Sequence, residues 1–185
     1  MLVTHEREKL IQAITFFVTH TRQCGKVKLF KLLYFLDFEH FKLTGRSVTG
    51  QNYSAWKMGP VPVALYEEID APQPDMADAI DFGQKPIRGG EQMMLDIKPK
   101  AEFSDRHFTR REMALMQSLA HEYRDARSDD MVEATHLENM PWDKIYNQQG
   151  LRQHKIPYEL ALRADEAESM TRVAADRRAL VDRLG

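Results

Sequence analysis

The sequence predicts a mainly α fold with a small β element: a single compact helical domain carrying a long C-terminal helix. Two N-terminal stretches, residues 4–20 and 26–44, repeat apolar residues at helical spacing. A third helical stretch follows Pro157 and runs to Leu184 without an internal Gly or Pro. What lies between is broken by most of the eight prolines and nine glycines, so any strands are short.

In the first stretch Leu10, Ile14 and Phe17 share one side with Ile11 and Val18, and Cys24-Gly25 ends the pattern. The second stretch stops at Gly45, a residue suited to the left-handed conformation that closes helices. Its stripe of Leu29, Leu33, Leu36 and Leu43 is joined by Phe30, Leu32, Tyr34, Phe35, Phe38 and Phe41 over most of the circumference, which marks a central helix. Residues 46–62 read as extended or turning and too broken for a regular element, after which Pro62 can open a short helix, Val63 to Ile69. Residues 70–92 read as a long irregular surface excursion. Short extended pieces near Lys85–Arg88 and Met93–Ile97, separated by Gly89-Gly90, could pair as a hairpin.

Helical order resumes at Thr109-Arg-Arg-Glu112, a capping-box spacing. A short helix is expected from Ser128 to about Leu137, and another from Pro141 through Trp142 to Asn147, ended by Gly150. The segment from Pro157 reads as one long or two joined helices, with Met170, Val173, Ala174, Leu180, Val181 and Leu184 on a narrow stripe that needs a partner surface. The expected organisation is a domain over residues 1–162 and a helical extension over 163–185.

The 185 residues, 43% apolar and 29% charged, suit one soluble globule rather than a disordered, collagenous or disulfide-built chain. A net charge of -2 argues against whole-molecule attraction to a polyanion. Cys24 stands alone, which favours a reducing compartment, and no apolar run approaches a membrane span, so a cytoplasmic location is expected. Charge is nevertheless bipolar. Residues 22–46 carry six Lys+Arg and two acids, whereas residues 62–84 carry six acids and no Lys or Arg.

Catalytic and cofactor chemistry find little support. The seven histidines include no pair at i, i+4 spacing, and Glu133-x-x-His136 is half of a carboxylate metal motif. No glycine-rich phosphate loop occurs, and Cys24, flanked by Arg22 and Lys26, has no evident base. No enzyme, cofactor or metal is expected; a cryptic hydrolase built on Glu133, His136 or Cys24 ranks last. The most unusual feature is the 52–62 loop, which gathers Tyr53, Trp56, Lys57, Met58 and Pro60. These are the candidate partner contacts, since aromatic and methionine side chains anchor interfaces; the alternative is a lid on the central helix.

The run Lys28-Leu29-Phe30-Lys31-Leu32-Leu33-Tyr34-Phe35, then Thr44-Gly45-Arg46, Trp56-Lys57-Met58-Gly59-Pro60-Val61-Pro62 and Tyr66, resembles the signature of the Panacea domain family, also described as SocA-like or phage-associated. Thr135-His136 and Pro141-Trp142 resemble its second segment. The family-pattern residues are Lys28, Lys31, Tyr34, Trp56, Gly59, Pro60, Tyr66, His136, Pro141 and Trp142. The resemblance implies an antitoxin of a toxin–antitoxin system, a protein-binding module that neutralises a cognate toxin by contact, with proteolytic adaptor delivery to a ClpXP-type protease as a subsidiary form. A DNA-binding regulator of its own operon, motivated by the basic 22–46 segment, is the alternative.

Overall fold

The computed structural model describes residues 4–137 and 139–184. Helix α1 (Glu6–His20) packs on α2 (Lys26–Thr44), which is the axis of the molecule. Every residue of α2 from Lys28 to Phe38 is buried, as its all-round apolar pattern requires. Gly45 closes the helix at φ 68°, and its N–H donates to the Phe41 carbonyl.

The 46–62 segment departs from expectation. It is a regular antiparallel hairpin, β1 (Tyr53–Trp56) with β2 (Gly59–Pro62), turning through Lys57 and Met58. The two prolines are compatible with the ladder because of where they fall. The backbone groups of Tyr53 and Ala55 point away from β2, to residues 153–156, so their facing residues Pro62 and Pro60 need no N–H. Sequence pattern alone cannot show that second partner, which arrives about a hundred residues later.

Pro62 caps α3 (Val63–Glu68) as expected. The 70–92 excursion is more ordered than its composition suggested. Pro74 starts α4 (Pro74–Ala79), which runs directly into β3 (Ile80–Ile87), paired in register with β4 (Gln92–Pro99). The expected hairpin exists but is longer, because buried Met76, Ile80 and Ile97 anchor its base to the core. Arg7 of α1 holds the same region, donating to Glu68 and Asp75.

The capping box forms at the start of α5 (Arg110–Glu122), where Thr109 and Glu112 exchange backbone bonds. Glu112 also accepts from Lys9 at 2.7 Å, tying α5 to α1. Helix α6 (Ser128–Thr135) and α7 (Pro141–Asp143) follow, but the expected helix over 142–147 widens into a π turn at Lys144–Gln148, where Trp142 and Tyr146 stack 4.6 Å apart. A 3₁₀ turn (Tyr158–Ala161) and the extended Leu162 separate the remainder into α8 (Ala164–Leu184). This last helix folds back onto the end of α2. Phe41, Leu162 and Ala174 form a small second core, and Arg177 donates to the Thr44 carbonyl at 2.7 Å. Leu180 stays exposed, and the Leu184 side chain lies outside the described residues. No described helix is long and apolar enough to cross a membrane.

Asp37 fixes the chain that leads from α2 into the first hairpin. Its buried carboxylate accepts from the backbone N–H groups of Val48 and Thr49 and from the hydroxyls of Thr49 and Tyr53. Burial pushes its pKa up to about 6, opposed by those four donors, so it is ionised at neutral pH. Asp37→Ala leaves the four donors buried without an acceptor and is expected to cost about 3–5 kcal/mol in chemical denaturation.

Candidate functional site

Six of the ten family-pattern residues, Lys31, Trp56, Gly59, Pro60, His136 and Trp142, converge on the underside of the first hairpin. Lys31, buried in the middle of α2, donates to the Pro60 carbonyl at 2.8 Å. Gly59 takes φ 98°, and a Cβ there would lie 2.7 Å from Thr135 Oγ1 and 2.8 Å from Lys31 Nζ. The glycine therefore serves both the turn and the close approach of α2, α6 and β2. On the far side the Trp142 indole donates to the Trp56 carbonyl at 2.8 Å and stacks face to face on His136 at 3.6 Å. Lys31, Trp56, Gly59, Pro60, Thr135, His136 and Trp142, scattered over a hundred positions, form one assembly.

Its electrostatics follow from burial. Desolvation lowers the Lys31 pKa to about 7. His136 is lowered too, first by burial and then by the neighbouring Lys31 charge, and its Nε2 is buried without a hydrogen-bond partner among the described residues. Asp143 counteracts this while accepting from the Asn139 N–H and from the side chains of Asn147 and Gln148. The assembly is a clamp: it holds a hairpin in place and presents its tip.

The five candidate contacts separate accordingly. Tyr53 is 1% exposed with its hydroxyl on Asp37, and Pro60 is buried, so neither lies on the surface. Both were named as candidate contacts, and both are buried because their strand lies on α2. Trp56 is half-buried against Tyr66, their rings 5.1 Å apart, while Lys26 sits over the Tyr66 ring at 4.5 Å. Lys57 and Met58 form the exposed turn, Met58 at 50%.

The basic 22–46 segment is not a basic face. Lys28 is buried and donates to the carbonyls of Arg22, Arg124 and Ala126, and Lys31 is internal. Arg22 pairs with Asp125 and Lys42 with Glu39. Cys24 is buried at the start of α2, and desolvation raises its pKa to about 11. Glu133 is exposed while the His136 ring lies on Trp142. Among the described residues no three His, Cys, Asp or Glu side chains gather as a metal site. Sequence reasoning missed Asp37, although a carboxylate inside a helix apolar all round was the available signal.

The model of one family, antitoxin SocA-like, Panacea domain, matches residues 29–143. That span begins inside α2, contains the hairpin and ends just past Trp142, so it encloses every residue of the clamp. No curated protein and no solved structure matches the chain.

Lys31 also gives the clamp a pH dependence. Between pH 7 and 10.5 the unfolded chain holds a proton on this amine that the folded chain has lost, so stability rises with pH there. The slope is at most about 1.4 kcal/mol per pH unit. Denaturation midpoints of the wild type and Lys31→Met, compared from pH 6 upward, should show the rise in the wild type and its loss in the variant.

Proposed function

Since the chain belongs to the antitoxin SocA-like, Panacea domain family, we propose that it is a non-enzymatic antitoxin that neutralises a cognate toxin by direct contact, with the tip of the first hairpin in the interface. The observation that carries the location is the contrast within that hairpin. Its stem is fixed to α2 through Lys31 and to Trp142 through the Trp56 carbonyl, while Lys57 and Met58 face solvent. A rigid stem lowers the ordering cost of binding, and an exposed methionine is an adaptable anchor.

The extension from residue 163 onward is a second place for partner identity. It lies beyond the matched span, and Ala174 is the buried position among its described side chains. The DNA-binding alternative loses the basic patch that motivated it, because two of its six cations are internal and two are paired. Cytoplasmic residence belongs to the same reading. Delivery to a ClpXP-type protease is the adaptor form of it, and a shortened toxin half-life in the presence of both would distinguish it from simple neutralisation.

The test is co-expression with the product of the adjacent gene. This chain should co-purify with it and rescue growth. Lys57→Glu combined with Met58→Asp should abolish rescue while leaving the thermal midpoint within about 2 °C, as expected for exposed substitutions. A harmless neighbour, or rescue unaffected by the double substitution, contradicts the proposal.

A further inference from the structure

Lys26 is the first residue of α2, and the first turn of that helix carries no acid. The positive end of the helix dipole disfavours a cation there. Lys26 also forms no ion pair among the described residues that would offset this. Its ammonium lies instead over the Tyr66 ring at 4.5 Å. Phe30, one turn further along α2 and buried, meets the same ring at 6.3 Å, and Trp56 meets it at 5.1 Å. Tyr66 and Trp56 are both half-buried, so the pair is held from within and still reaches solvent.

The turn of the first hairpin continues this surface. Lys57 follows Trp56, is exposed and forms no ion pair among the described residues, and Met58 is 50% exposed. Two unpaired ammonium groups therefore stand at the ends of an apolar row of Tyr66, Trp56 and Met58. An ammonium that loses water at an interface needs an opposite charge, so this row selects carboxylates at its ends and an apolar side chain between them. A phosphate backbone would need a longer cationic track, and the net charge of -2 opposes one.

We infer that the toxin meets this row with an acidic segment, its carboxylates on Lys26 and Lys57 and an apolar side chain packed on Trp56 and Met58. The inference rests on the antitoxin reading and adds to it the chemistry of the partner and a contact, Lys26, outside the hairpin.

Carbodiimide coupling joins ammonium and carboxylate groups that touch. Applied to the complex with the product of the adjacent gene, it should link Lys26 and Lys57 to Asp or Glu side chains of the partner, as mapped by mass spectrometry. Lys26→Glu and Lys57→Glu should each weaken the affinity at least about tenfold, whereas Lys42→Glu, the same charge change at the other end of α2, should leave it within about twofold. Lys26→Glu places an acid at a helix start and so does not endanger the fold. Raising the salt from about 0.05 to about 0.5 M should weaken the wild-type complex at least about fivefold. A complex that forms but gives no links from these lysines, or is indifferent to both reversals, overturns the acidic partner and leaves the antitoxin reading standing. Saturable binding of oligothymidylate by the free chain, lost in Lys26→Glu, overturns it in favour of a nucleic acid. If no complex forms, the antitoxin reading and this inference fall together.

Discussion

A helix buried on every side offers its polar side chains no water, and the buried stretch of α2 carries Lys28, Lys31, Asp37 and His40. Each must find a partner inside, and the partners available are the backbone groups of the segments that wrap the helix. Lys28 gathers three carbonyls from the ends of α1 and α5, and Lys31 takes that of Pro60. Asp37 takes the N–H groups of Val48 and Thr49, and the His40 ring meets the Arg46 carbonyl at 2.7 Å. Four side chains thereby secure most of the connections that leave the central helix.

Function follows from what this arrangement frees. Most of the signature residues are consumed in building the clamp, since Lys31, Gly59 and Trp142 face the hairpin and its neighbours rather than solvent. A family pattern of this kind specifies the stem, while the turn residues Lys57 and Met58 carry none of the clamp's bonds. The C-terminal helix adds a second surface, held to the end of α2 by Arg177 and a few apolar contacts.

Local signals in the sequence were enough for α1, α2, the capping box at Thr109 and the proline-started helices, because each depends on spacing within a few residues. The first hairpin was illegible for the opposite reason. Pro60 and Pro62 look like breakers until residues 153–156 supply the other edge of β1. Charge misled in the same way: Lys28 and Lys31 count as surface cations in composition and are internal in the fold. Of the candidate contacts, Lys57 and Met58 lie at the surface, whereas Tyr53 and Pro60 gave way to their helix-facing register.

Native-state hydrogen exchange tests most directly whether polar groups of α2 hold the connections in place. The account predicts that the Val48 and Thr49 amides, bound to Asp37, exchange with the same free energy as the amides at the centre of α2, and so open only with the whole domain. Exchange of those two amides several kcal/mol more easily than the helix, by local opening that leaves α2 protected, would contradict it.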